Sequence, residues 1–324
     1  MNTILYFDEA CHKYTDNENN LYISTTTLIS KYEKKQDFSQ IALACERIGR
    51  NPRHPKYNKY KNKSKAQIEK EWDKITEIAL IDGNEKHNYL EDAVKSANGY
   101  KRVGEERYIN DRIYTISDIL DNHNYGRIDI DFFVKTGIKD RYPQIFELIR
   151  FFVEQGYRIY SEIGTFSVNY LISGLIDLLL VKGDRFYIID WKTNRADIKF
   201  ESGYFEKDTS GNLTDNFIYT RDYFLPPLHY LEASVGNKYT LQLSMYDYLT
   251  EQFGLTCLGN ILCHIRKTDY SEFDEVVIKN PQLELYGKQR VDFLPIKYLK
   301  DDIIRMVEDY KSNRPNEQLK MRLQ

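Results

Sequence analysis

Apolar residues recur at helical spacing through much of the first half of the chain and then crowd into short runs of strand character. The stretch "AQIEKEWDKITEIALIDGNEKHNYLEDAVKSA" has a helical pattern, with Gly83 as a break or a point of close packing, and "YPQIFELIRFFVEQG" reads as an amphipathic helix ending at Gly156. Strands follow in "RIYSEIGTFSV", "LISGLIDLLLVK" and "RFYIIDWKTN". "YTLQLSMYDYLTEQFG" is an amphipathic helix closed by Gly254, "CLGNILCHIR" another strand, and "IKYLKDDIIRMVEDYKSN" the last helix. At the start, "LYFDEACHKYTDNENNLYIS" reads as a hairpin of two strands about a polar turn from Asp16 to Asn20. Ser24 to Thr27 offer N-caps for a helix through "TLISKYEKK", and a second short helix fits "SQIALACERIGR".

This order predicts an α/β (α+β) chain with a central mixed sheet flanked by helices. Residues 1–70 carry the hairpin, short helices and a basic loop. Residues 71–324 form the core, with a segment near 100–140 that fits no pattern well and a polar, aromatic-rich insertion at 197–237. The whole reads as one compact unit.

Composition narrows this little. Hydrophobic residues make up 41% and charged ones 29%, as in ordinary globular chains. The net charge of −3 argues against a general basic coat but leaves room for a local basic surface. No apolar run approaches about 18 residues, so no membrane span is expected. The first residues lack the basic and apolar regions of a targeting segment, which favours the cytoplasm. Cys11, Cys45, Cys257 and Cys263 have no paired metal spacing and read as free thiols.

The chemistry concentrates in "SGLIDLLLVKGDRFYIIDWKTN". Asp190 and Lys192 end an apolar strand, and burying either charge alone is unfavourable. Gly183-Asp184 suits a two-residue hairpin turn. That turn sets Lys182 opposite Arg185 and, five steps out, Asp177 opposite Asp190, with Lys192 on the same face as Asp190. A divalent cation relieves the repulsion of two facing carboxylates. Oxygen ligation favours Mg²⁺ or Mn²⁺, and the Trp191 carbonyl is a further candidate ligand. The competing reading places both aspartates at solvated strand ends, and a one-residue slip of register would separate them.

The pattern "GLID…IIDWKT" resembles the core motif of the PD-(D/E)XK nuclease superfamily, in its RecB-like exonuclease branch, with phage-encoded and mitochondrial-type exonucleases among its members. The likeness runs from about residue 70 to 265 and implies a restriction-endonuclease-like core. By this resemblance Gly83 and His87 match an upstream G-x-x-x-H helix whose histidine is a metal ligand, with Glu91 as an acceptor that orients it. Gln242 and Tyr246 match a Q-x-x-x-Y helix: the amide holds the attacking water or the lysine, and the phenol touches a phosphate or a base. Alone, each of these segments reads as an ordinary helix. Glu162 stands where members often carry an acid that reaches the metal or supports the lysine; a solvated strand residue is the other reading. Trp72 fits the upstream helix as a packing residue. The four-cysteine iron–sulfur clasp of some relatives has no counterpart here, so no cluster is expected.

The resemblance implies an Mg²⁺- or Mn²⁺-dependent DNA nuclease acting on single-stranded or free ends. Its expected cation ligands are His87, Asp177, Asp190 and the Trp191 carbonyl, and Lys192 is its catalytic lysine. Expected settings are recombination, replication or repair in a bacterial or phage-infected cytoplasm, with proteins of those processes as partners. An endonuclease of the same superfamily and a non-catalytic DNA-binding protein are the alternatives. Residues 53–65, "RHPKYNKYKNKSK", resemble a mobile basic loop; Lys56, Tyr57, Lys59, Tyr60, Lys61 and Lys63 are candidates for phosphate contact and base stacking there, against the reading of a merely solvated loop.

Overall fold

A computed structural model describes residues 3–8, 11, 13–98, 112–121, 125–194, 196–207, 213–267 and 289–321. The fold is mixed α/β; among the described residues it has a central sheet of eight strands and a separate two-stranded sheet. Strands β4 (Arg158–Ser167), β5 (Ile172–Lys182) and β6 (Arg185–Lys192) form its antiparallel centre, β9 (Thr256–Lys267) lies parallel to β6, and β10 (Gln289–Ile296) closes the edge. β10 was not expected. Its sequence, QRVDFLPI, carries Arg290, Asp292 and Pro295, residues that suit an edge strand and obscure it as a strand in sequence.

The N-terminal segment forms three strands rather than the expected two: β1 (Leu5–Asp8), β2 (Lys13–Asp16) and β3 (Leu21–Ser24). Asp16 ties the turn by accepting from the backbone N–H of Glu18 and Asn20 and from the Tyr22 hydroxyl. β3 then runs parallel to β5 through Ile23–Ile172 and Ser24–Ser173, so this meander extends the central sheet. Ser24 caps α1 (Thr25–Ser30), which ends sooner than expected. Tyr32 is drawn instead onto α10 (Lys300–Met321), its hydroxyl 3.1 Å from the Met306 carbonyl.

Helix α2 (Phe38–Ile48) follows, and the basic segment contains the helical turn α3 (Tyr57–Tyr60). It is packed rather than loose: a β-carbon at Gly49 would stand 2.2 Å from the Tyr60 carbonyl oxygen. Helix α4 (Lys65–Ala97) is opened by a Ser64/Gln67 capping box and runs unbroken through Gly83. Gly83 is a point of close packing, since a β-carbon there would lie 3.1 Å from Thr193 Oγ1. Of the segment near 100–140, residues 100–111 and 122–124 lie outside the described residues; α5 (Ile116–Asp121), α6 (Ile130–Lys135) and α7 (Ile138–Arg141) lie within it. Helix α8 (Pro143–Glu154) covers one sheet face, where Ile145, Phe146 and Ile149 meet Leu178, Leu180 and Trp191.

The insertion holds the hairpin of β7 (Gly203–Lys207) and β8 (Leu213–Tyr219), with residues 208–212 outside the described set. Helix α9 (Val235–Glu251) is buried around most of its circumference, not amphipathic as its sequence suggested. Leu243 and Tyr246 face the sheet with Ile176, Leu179 and Ile188, while Leu241, Met245 and Leu249 pack on α1 and α10. Among the described residues no helix is long and apolar enough to cross a membrane.

Candidate active site

The hairpin register follows the turn. Lys182 pairs with Arg185, and the ladder continues to Leu178 opposite Ile189. There it stops, one step before Asp177 and Asp190. β4 occupies one edge of β5 from Ile172 to Val181, so β3 and β6 must share the other, and residues 174–177 fall in the fork between them. In that fork the Asp177 carboxylate replaces the missing ladder bond by accepting from the Trp191 N–H at 2.8 Å.

Glu162 and Asp177 fall between the ladder pairs Ser161–Leu178 and Ile163–Ile176. Glu162 has φ +55°, a left-handed conformation inside a strand. Such backbone is held only where its surroundings enforce it, typically at functional sites. His87 arrives from α4: its Nε2–H donates to the Trp191 carbonyl at 3.1 Å, and Nδ1 lies 3.8 Å from Asp177 Oδ2. A carbonyl only accepts, so this bond leaves Nδ1 as the ring's free donor of electrons. His87, Glu162 and Asp177 each offer a ligand atom within 4.8 Å of the others.

The residues that could hold a metal ion thus include Glu162 beside the expected His87 and Asp177. Glu162 belongs to the cluster. The Trp191 carbonyl anchors the His87 ring. Asp190, which is buried, turns to Lys192, with Oδ2 and Nζ 2.5 Å apart, because each is the other's counter-charge. Burial raises the Asp190 carboxyl above its ordinary value, Lys192 opposes this, and the neighbouring Asp177 adds to it. Burial disfavours the Lys192 ammonium, but Asp190 and Asp177 outweigh it and hold its pKa above the usual lysine value.

Helix α9 supplies the far wall. Gln242 Nε2 donates to the Tyr246 hydroxyl at 2.9 Å and reaches Asp190 Oδ1 at 3.4 Å. Tyr246 is buried against Gly174, where a β-carbon would come within 2.3 Å of its ring. It is not presented for base stacking: the fork needs its ring as filler, and its hydroxyl orients Gln242. Burial, and after it the Asp190 charge, keeps that phenol protonated far above the ordinary tyrosine range. Glu91 is buried on α4 and paired with Lys95 at 2.5 Å. It lines, with His87, Glu162, Gly174 and Tyr246, an open cavity of about 390 Å³ whose opposite side comes from Phe7, Tyr14 and the start of α1.

Three residues were not anticipated. The Lys192 ammonium sits 4.6 Å from the centre of the Tyr239 ring, and the Tyr239 hydroxyl donates to Asn194 Oδ1 at 2.8 Å. His264, buried on β9, donates from Nε2 to the Asn194 carbonyl at 2.8 Å. Burial lowers its pKa, so it serves as a neutral strut. Tyr239 was legible in principle, since it stands three and seven residues before Gln242 and Tyr246 on one helical face. His264 carries no such spacing.

The basic segment divides. Lys56, Lys59 and Tyr60 line a second cleft, described below. Lys61 instead lies over the Tyr57 ring, and Lys63 pairs with Glu71 at 2.8 Å. Trp72 packs beside Ala42, Cys45 and Ile68, as expected of a packing residue. No protein-family model matches the chain, and no curated protein does so.

Proposed function

We propose that this chain is a metal-dependent phosphodiesterase of the PD-(D/E)XK type, and within that class a nuclease acting on single-stranded DNA ends. The observation that carries the reading is the sheet fork itself, where one imidazole and two carboxylates converge within 4.8 Å beside the Asp190–Lys192 ion pair. Mixed nitrogen and carboxylate donors fit Mg²⁺ or, better, Mn²⁺. His87, Glu162 and Asp177 would hold the ion, with Asp190 adjoining. When bound, such a cation polarises a phosphate oxygen and makes water a better nucleophile.

The remaining work belongs to the chain. Lys192, held charged by its two carboxylate neighbours, offsets the negative charge that grows on the phosphate. Gln242, fixed by Tyr246 and Asp190, has an amide positioned to orient water beside the lysine. The open cavity walled by α1 and the N-terminal strands gives the phosphate access to the fork.

The test is cleavage of end-labelled linear and circular single-stranded DNA with Mn²⁺. Linear DNA should be degraded from an end and circular DNA spared; cutting of the circle would make the enzyme an endonuclease. Lys192→Ala and Asp177→Asn should each lower the rate by about 10²–10³-fold. Variants as active as the wild type would end the catalytic reading.

A further inference from the structure

A second cleft, of about 570 Å³, opens between the basic turn α3 and the β7–β8 hairpin. Its walls combine aromatic and cationic residues from three separate segments: Lys56, Lys59 and Tyr60, then Trp72 on α4, then Tyr204 and Phe205 on β7. We infer that this cleft binds an unstacked nucleotide of a single strand, and that the insertion hairpin is present to form its second jaw. The inference rests on the phosphodiesterase reading for its biological sense, though not for its test.

Four rings and two ammonium groups around one opening match the two parts of a nucleotide, a base with a π-face and a phosphate with a charge. A volume near that of small-ligand pockets admits one splayed base and excludes a stacked duplex. The rings are presented rather than fully packed: Tyr204 is 51% exposed, and Tyr60 and Trp72 are partly buried against the Ala42–Cys45–Ile68 cluster. Phe205 is braced edge-on by Phe217 at 5.1 Å, which stiffens the hairpin jaw. Glu206 also lies on the rim, and its carboxylate accepts from Asn216 at 3.0 Å, so its charge is partly turned toward its own hairpin. In a chain of net charge −3, the six Lys and Arg of residues 53–65, with no acid among them, are a local exception that suits a polyanion.

The position is as informative as the lining. Trp72 and His87 share the uninterrupted helix α4, and fifteen residues at about 1.5 Å each place them roughly 22 Å apart. A strand whose phosphate lies at the fork would have to extend several nucleotides to reach the cleft. The cleft would thus select substrates with a single-stranded tail and would hold the strand between cleavage events.

Trp72 reports on its own site. The only other tryptophan, Trp191, is 2% exposed. The 324-residue chain in EDTA, which withholds divalent metal, is titrated with an oligothymidylate of about 20 nucleotides while tryptophan emission is read. A saturable quench is expected, with none from a duplex of the same length. Trp72→Phe should abolish it, and Tyr204→Ala or the Lys56→Ala/Lys59→Ala pair should weaken binding by about 5–100-fold. An oligouridylate arm identifies the sugar preference, and either strand giving the saturable quench supports the site. A quench that survives Trp72→Phe, or that duplex produces equally, overturns the inference. Hydrolysis of thymidine 5′-p-nitrophenyl phosphate with Mn²⁺ separates the two claims. It should be unchanged in Tyr204→Ala, and its absence from the wild type beside an intact quench would remove the phosphodiesterase reading alone.

Discussion

Lys192 shows how single residues combine at this site. Its side chain is only 14% exposed, with the ammonium paired with Asp190 and placed over the Tyr239 ring. A ring face beside a desolvated cation contributes about 2 kcal/mol. Tyr239 therefore positions the lysine, and its hydroxyl, tied to Asn194, fixes the ring. Tyr239→Phe keeps the ring and should retain most of the turnover. Tyr239→Leu should lower kcat by about 10-fold or more with little change in KM, which steady-state kinetics on a labelled single strand would read. Equal losses in both variants would show that the hydroxyl, not the ring, matters. The Asp177 and Asp190 positions were legible because the Gly183-Asp184 turn counts residues outward with period two. The swing of Asp190 toward Lys192, and the approach of Glu162 to His87 and Asp177, were not. Both depend on burial and on an unusual backbone at one strand position.

At the scale of elements, the site exists because β5 has two different neighbours along one edge. β3 and β6 diverge around residues 174–177, and the opening is filled from α9 by Tyr246. Gly174 makes this contact possible. Gly174→Ala would drive a methyl group into the Tyr246 ring and displace Gln242 with it. Overpacking of this kind destabilises by about 1–3 kcal/mol. The variant should melt at lower temperature and lose cleavage activity together, as followed by circular dichroism and the labelled-strand assay; an unchanged melting temperature would contradict the packing described. Most helices could be found from their apolar spacing, α4 and α8 above all. β3 was taken as only the second arm of a hairpin because its further pairing with β5 joins Ile23 to Ile172 and Ser24 to Ser173, residues 149 apart in sequence. β10 escaped because charge and proline mask a strand that only β9 specifies.

For the molecule as a whole, burial leaves a pH signature. Asp247 lies fully buried on α9, accepting from Asn260 at 2.5 Å. Burial pushes its carboxyl up to about 7, against the hydrogen bonds from Asn260 and Cys257. The folded chain keeps a proton that the unfolded chain releases near pH 4, so this group's contribution is greatest in acid. It declines as pH rises from about 4 to 7 and is level above that. Asp247→Asn removes the ionisation, and its stability relative to wild type should grow by on the order of 2 kcal/mol between pH 5 and 8. Chemical denaturation at both pH values checks this; a difference independent of pH would mean that Asp247 does not carry the linkage. The alternation of side chains, the hairpin turn and the helical repeats are local properties, and the sequence alone determined the mixed α/β class, the hairpin register from Lys182–Arg185 to Leu178–Ile189, and the grouping of Gln242 with Tyr246. Which strand covers which edge, where the sheet forks, and which wall a distant histidine or tyrosine reaches were decided only in the tertiary structure. These depend on contacts between residues far apart in the chain, whose energies no local pattern encodes.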